Sequence, residues 1–219
     1  MPFTDRSDAG RRLAGALAGY KDQCPVILAL PRGGVAVAAE VAAALEASLD
    51  LVLVRKLGVP SEPELAMGAV VDGVDPIVVR NEDVIRMTEV GAAEFDATRD
   101  AELAEIERRR WRYLGERPRV EVEGRTAIVI DDGIATGATI RAALRATRMR
   151  KPKTLVVAVP VAPTETIEEL RGEADDIVCL EQREFFRAIG TYYANFRQVT
   201  DQEVVETLNR FTPVKGAPR

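Results

Sequence analysis

Histidine is absent from this 219-residue chain, and cysteine occurs only twice. Without an imidazole there is no histidine general base, proton shuttle or metal ligand. Ser-His-Asp hydrolases, Cys-His proteases, HExxH metalloproteases and His-containing zinc modules are therefore excluded. Cys24 and Cys179 lie far apart, in neither CxxC nor secreted-framework spacing, and read as two buried thiols. Cations are not in surplus either: 30 Lys and Arg face 35 Asp and Glu, a formal net charge of -5. Such a chain has little with which to release counterions from nucleic acid, which disfavours genome binding while leaving room for a local basic face. No run approaches the roughly 18 apolar residues of a membrane span, and MPFTDRSDAGRR has no signal-type apolar segment. A soluble, reducing, cytoplasmic protein is expected, with neither membrane nor nucleic acid as partner. Neither GxxxxGK[ST] nor GxGxxG occurs, which argues against a P-loop nucleotidase or a dinucleotide enzyme.

What is present is a chain that is 47% hydrophobic, long enough for one domain with a small appended lobe. Short β-branched runs recur at Val26 to Leu30, Leu51 to Val54, Thr126 to Ile130, Leu155 to Val161 and Ile177 to Leu180. Each is apolar nearly throughout, as strands covered on both faces must be. Between them lie helical patterns, with Ala38, Val41, Ala42 and Leu45 at i, i+3, i+4 and i+7, and Ile140, Ala143 and Leu144 at i, i+3 and i+4. Thr147 leaves the next position of the second stripe polar. This alternation predicts an α/β fold, a mostly parallel sheet with helices on both faces.

The stretch from Gly58 to Arg119 breaks the rhythm. Two strand-like pieces, Met67 to Val71 and Pro76 to Arg80, flank Asp72-Gly73 and predict a small antiparallel ribbon. A long polar helix is expected from about Glu82 to Leu114, with Glu105, Arg108, Arg109 and Arg112 pairing along a solvated face. After Leu180 comes the aromatic stretch FFRAIGTYYANFRQV, then a final helix opened by Thr200 with Glu203 at capping-box spacing. The last residues, PVKGAPR, read as disordered. The expected division is a core over 1–180, including an insert at about 57–119, and a C-terminal hood and helix over 181–219.

The segment with the most chemistry is Asp131-Asp132-Gly133-Ile134-Ala135-Thr136-Gly137-Ala138-Thr139, which leads from a strand into a helix. Ligands of open parallel sheets bind beyond the carboxyl ends of strands. A turn of small residues opening a helix offers unpaired N–H groups and the positive end of the helix dipole, and Thr136 and Thr139 add hydroxyls. That suits a phosphate dianion. Asp131 and Asp132 would repel a phosphate directly, so they suit hydroxyls or a bridging metal ion. The same residues also fit a plainer arrangement, a strand end capped by two acids and a helix that simply begins at TGAT.

IVIDDGIATGAT resembles the phosphoribosyl pyrophosphate (PRPP) signature of the type I phosphoribosyltransferases, most nearly that of the adenine and orotate branches. The acid that the hypoxanthine-guanine branch usually carries before T-G is replaced by Ala135. Leu30-Pro31-Arg32-Gly33-Gly34 resembles the family's pyrophosphate loop. Arg55-Lys56 resembles the basic pair that precedes its mobile catalytic loop. The likeness runs from about Val26 to Leu180, and the whole chain is similar to a bacterial phosphoribosyltransferase group of unassigned substrate.

The resemblance implies a magnesium-dependent transfer of phosphoribosyl from PRPP to a nitrogenous acceptor, a nucleobase, within nucleotide salvage. It implies that Ala135, Thr136, Gly137, Ala138 and Thr139 hold the 5′-phosphate and that Arg32, Gly33, Gly34 and Arg55 bind pyrophosphate. Lys56, Asp131 and Asp132 would be catalytic, with the magnesium held mainly by substrate near the two acids, and 57–119 would supply a mobile cover. Tyr192, Tyr193 and Phe196, with Arg197, match a stretch near the family's base site and would stack on the base, although packing against the core is the commoner fate of such aromatics, and the assembly would be a homodimer. Two other readings of these residues are a PRPP- or nucleotide-sensing regulator without turnover and a phospho-acceptor signalling domain built on the strand-end Asp pair.

Overall fold

The apolar runs and the stripes between them become, in chain order, α1 (Arg6–Ala16), β1 (Val26–Ala29), α2 (Gly33–Leu45), β2 (Ser48–Leu51), β3 (Val54–Val59), β4 (Glu62–Val71), β5 (Ile77–Arg80), α3 (Glu82–Met87), α4 (Ala92–Leu114), β6 (Thr126–Ile130), α5 (Ala138–Met149), β7 (Thr154–Pro163), α6 (Thr164–Leu170), β8 (Asp176–Arg183) and α7 (Asp201–Asn209). The computed structural model describes residues 2–73 and 76–211. The expectation for PVKGAPR lies outside the described residues.

β1, β2, β6, β7 and β8 form one parallel sheet in the order β2-β1-β6-β7-β8. Every residue of β1 and β6 is buried, because helices cover both faces. Alternate side chains go to opposite layers. Ile27, Ala29, Ile128 and Ile130 pack with α1, α2 and α7, while Val26, Leu28, Ala127 and Val129 pack with α5 and α6. From β1 the chain passes through α2 to β2 on one side and, after the insert, returns to β6 on the other side of β1. The strand order reverses between β1 and β6, and such a reversal opens a crevice at the strands' carboxyl ends.

The second parallel strand departs from the reading of Leu51 to Val54. β2 ends at Leu51, and Leu53 N–H is taken by the Asp72 carboxylate (3.0 Å), which turns the chain into β3. Arg55 and Lys56 therefore lie on the first strand of an antiparallel ribbon, β3-β4-β5. The ribbon at Asp72-Gly73 is present as expected, lengthened by that strand. The single helix expected from Glu82 to Leu114 is two, because Glu89 adopts a left-handed backbone (φ 53°) and Gly91 caps α4, its N–H bonded to Glu94 (3.1 Å). The ribbon is packed on both sides: Leu57, Val59, Met67 and Val70 with Phe95 and Ile106 of α4, and Val54, Ala69 and Val71 with the α5 layer. Its longest exposed run is residues 60–64, the β3–β4 turn and the start of β4.

A buried ion cluster fixes the ribbon to the sheet. Asp72 accepts from Arg110 (2.9 Å) and from Arg119, and Asp50 of β2 accepts from Val120 N–H (2.8 Å). Arg110 Nη2 is buried without a hydrogen-bond partner and faces Asp50 at 3.9 Å. At the other end of the chain, α7 carries the expected capping box between Thr200 and Glu203. α1 has no counterpart in the sequence reading. Its helix is mostly polar, capped by Asp5, and only Ala9, Gly10, Leu13 and Ala14 are buried.

Candidate active site

β6 delivers Asp131 and Asp132 to the crevice beside β1, where Leu30 N–H bonds to Ile130 O (2.9 Å). Asp131 Oδ1 accepts from Asp132 N–H (2.8 Å). Burial, and then the neighbouring Asp132 charge, push the Asp131 carboxyl well above the usual carboxylate range. Asp132 Oδ2 accepts from Arg6 Nε at 2.6 Å, and the Asp132 carbonyl accepts from the Tyr193 hydroxyl at 2.6 Å. Asp132 Oδ1 and Asp131 Oδ2 have no donor among the described residues.

The loop that follows leads into α5. Ile134 N–H is held by Val161 O (2.9 Å), Ala135 O accepts from Thr166 (3.3 Å) and Thr136 O accepts from Arg141 (3.1 Å). The loop's carbonyls are thus turned to the protein. Gly137 sits at φ 75°, a left-handed position where a Cβ would also meet Thr166 Cγ2 at 2.8 Å. The backbone N–H groups of Ala135 to Thr139 have no acceptor among the described residues, and no side chain caps α5. Ala135, Thr136, Ala138 and Thr139 are exposed. Such a loop at a helix N-terminus has the geometry to receive an anion.

Across the crevice, Arg32, Gly33 and Gly34 open α2. A Cβ on Gly33 would lie 1.9 Å from Asp132 Oδ2, and one on Gly34 would lie 2.8 Å from Ile130 O. Only glycines allow this loop to lie against the acidic pair. The Arg32 guanidinium is 3.7 Å from Asp201 at the start of α7, a carboxylate that also binds Tyr113 (2.7 Å) and Arg112 (2.7 Å). The Tyr113 hydrogen bond, then the Arg112 and Arg32 charges, hold Asp201 below its ordinary range against the opposing effect of burial. Arg55 pairs with Glu102 of α4 (2.5 Å), and Lys56 Nζ reaches Glu64 O (3.1 Å) and Oε2 (3.3 Å). Among the described residues no hydrogen bond or ion pair joins Arg55 or Lys56 to 31–34 or 131–139.

The site is therefore an amide cradle, two adjacent carboxylates and a glycine loop, gathered at the carboxyl ends of the paired strands β1 and β6. The family model for the phosphoribosyl transferase domain matches residues 5–197. The chain belongs to the phosphoribosyl transferase family. A Mycobacterium tuberculosis protein, present in strains H37Rv and CDC 1551 and named provisionally as a phosphoribosyl transferase, is 48% identical over 208 residues. That match covers 95% of this chain and 46% of the relative, so the chain spans about half the length of the curated relatives it matches. The crystal structure of TT1426 from Thermus thermophilus is similar with a TM-score of 0.84 and 40% identity, over 97% of this chain and 100% of that one.

Within this phosphoribosyl transferase domain the hood aromatics separate by environment. Tyr193 is 6% exposed, packed between Phe3 (centroids 5.4 Å) and Phe196 (5.0 Å), and burial raises its hydroxyl strongly. It braces the acidic strand end from behind and does not present a face for stacking. Tyr192 stacks on Phe186 (5.3 Å), Phe196 lies under the Arg6 guanidinium (3.9 Å), and Arg197 pairs with Glu203. Phe185, 91% exposed, is the aromatic left open to solvent on this hood. Sequence reading missed Arg6 and Asp201, both polar residues in charge-rich segments with no spacing to set them apart. Only Asp201's place just after the Thr200 cap was legible.

No helix among the described residues is long and apolar enough to cross a membrane. Nor do they contain a cluster of three or more acidic or cysteine side chains placed to hold a metal ion.

Proposed function

We propose that this domain transfers the phosphoribosyl group of PRPP to a nitrogenous acceptor, a nucleobase, releasing pyrophosphate with magnesium as cofactor. The observation that carries this reading is the meeting of opposite requirements on one strand-loop-helix unit. Unpaired N–H groups of Ala135 to Thr139 suit the 5′-phosphate, and the oxygens of Asp131 and Asp132 suit the ribose diol a few residues earlier. Arg32 and the Gly33-Gly34 amides at the start of α2 suit the diphosphate on the opposite wall.

A hard, oxygen-seeking ion held mainly by the substrate's own oxygens would sit near Asp131 and Asp132, whose carboxylates suit its charge. Magnesium bound there would neutralise charge on the leaving group. The acceptor nitrogen donates its lone pair to C1 as the C1–O bond breaks, and that electron pair departs with pyrophosphate. The protein's part is positioning and charge stabilisation. With no histidine in the chain, the acceptor's proton goes to a carboxylate, to pyrophosphate or to water. Lys56 is half-exposed and bonded to the exposed turn that carries Glu64, so closure of that turn brings its charge toward the leaving group and excludes water.

The test is to screen bases and amines for PRPP- and magnesium-dependent pyrophosphate release. Release by one class of base supports the reading, and none with any base or amine refutes it. Lys56→Ala should lower turnover far more than PRPP affinity.

A further inference from the structure

Arg6 joins the walls of the crevice near Asp132. It projects from the first turn of α1 with a side chain only 11% exposed. Its Nε donates to Asp132 Oδ2 (2.6 Å), and its Nη1 donates to the carbonyl of Arg197 in the hood (2.8 Å). Its Cζ lies 3.9 Å from the Phe196 ring centroid. A Cβ on Gly33 would lie 3.0 Å from its Nε, so the absence of a side chain there leaves room for the guanidinium beside the glycine loop. Four segments distant in sequence meet at one guanidinium.

The physical need for such a group follows from the acidic pair. Two adjacent, largely buried carboxylates repel each other, and a rotating Asp132 would offer the ribose diol no fixed acceptor. A guanidinium is permanently charged, directional and weakly hydrated, which suits it to hold a buried carboxylate in one orientation. Binding through Oδ2 leaves Oδ1 to the ligand. The second bond, to Arg197 O, fixes the cation itself and links the carboxylate to the hood.

We propose that Arg6 is a positioning residue for the phosphoribosyl site. It locks Asp132 for the ribose hydroxyls and couples that carboxylate to the hood; the inference rests on the PRPP reading above. Arg6 acts on the ribose end of the ligand and not on the pyrophosphate end. That separation distinguishes positioning from general structural support.

The experiment titrates PRPP, ribose 5-phosphate and inorganic pyrophosphate calorimetrically, each with excess magnesium, into wild type, Arg6→Ala, Arg6→Gln and Arg6→Lys, with circular dichroism as a check on folding. Loss of a charged hydrogen bond predicts roughly tenfold or greater weakening of PRPP and ribose 5-phosphate in Arg6→Ala. Pyrophosphate affinity should stay within about twofold of wild type, and Arg6→Lys should recover part of the loss because charge without the fork restores one contact. If Arg6→Ala does not fold, the same pattern in Arg6→Gln carries the test. Wild-type affinity for PRPP in a folded variant, or equal weakening of all three ligands, overturns the role of Arg6. Failure of wild type to bind PRPP overturns the PRPP reading itself, and the Arg6 proposal with it.

Discussion

Replacing Gly33 by alanine perturbs the site at its tightest contact. The added Cβ would lie 1.9 Å from Asp132 Oδ2 and 2.5 Å from its Cγ, where side-chain carbons essentially never come closer than 3.0 Å. The carboxylate must move by more than an ångström, and it cannot do so while keeping its 2.6 Å bond to Arg6. Alternatively the start of α2 must withdraw, which takes the Arg32-Gly33-Gly34 amides away from the acidic pair. Hydrogen bonds to charged groups contribute about 1.5–3 kcal/mol. Each 1.4 kcal/mol is tenfold, so PRPP affinity should fall about 10- to 150-fold. Calorimetric titration of PRPP with excess magnesium reads this directly, and thermal melting verifies that the variant is folded. Gly172→Ala, at a glycine with nothing within 4 Å of the new Cβ, is the control and should bind as wild type. Wild-type affinity in a folded Gly33→Ala variant would refute the placement of this loop against a functional Asp132.

Three further predictions concern stability and ionisation. The folded state raises the Asp131 pKa, so its contribution is favourable below the unfolded carboxylate pKa and is lost as pH rises through the folded value. Asp131→Asn should therefore melt higher than wild type at pH 7, with the gain vanishing below about pH 4, while losing PRPP binding. An unchanged or lower melting temperature at pH 7 contradicts the assigned burial. Glu105, bonded first to Arg108 and then Arg109, and Glu203, bonded first to Arg197, are both pulled down to about 2. Their stabilisation is present above the ordinary carboxylate range and disappears as pH falls toward 2, so carboxyl NMR titrations near the usual value of about 4.3 would contradict these pairs. Arg110→Ala leaves Asp72 and Asp50 short of a buried cation and should cost about 3–5 kcal/mol in denaturant unfolding. A loss under about 1 kcal/mol would mean the cluster does not anchor the ribbon.

The parallel sheet was legible because β1, β6 and β7 are apolar on both faces, a pattern that burial between two helix layers requires. β2 was displaced in the reading because Ser48 and Asp50 interrupt its pattern. Asp50 is tolerated at 1% exposure by its bonds to Leu51 and Val120 N–H, a long-range compensation that no local window reveals. The break between α3 and α4 was hidden by a glutamate in a left-handed conformation, a position that sequence preference assigns to glycine or asparagine. The anion loop was legible from spacing, since an Asp pair and TGAT lie within nine residues of one another on a strand-to-helix turn. Its countercharge was not, because Arg6 is 126 residues from Asp132 and reaches it only through the packing of α1 against α2. The hood aromatics were legible only as a class: the resemblance allowed stacking on a base, packing against the core was the commoner expectation, and Tyr193 is packed, its hydroxyl donating to the Asp132 carbonyl at the acidic strand end.

Asp131, Asp132 and the Ala135–Thr139 amides together form the proposed PRPP site. It is tested most directly by titrating PRPP into wild type and Asp131→Asn/Asp132→Asn by calorimetry, with and without magnesium. Wild type should bind saturably, more tightly with magnesium, and the double variant should lose binding. No binding by wild type, or equal binding by a folded double variant, would contradict it.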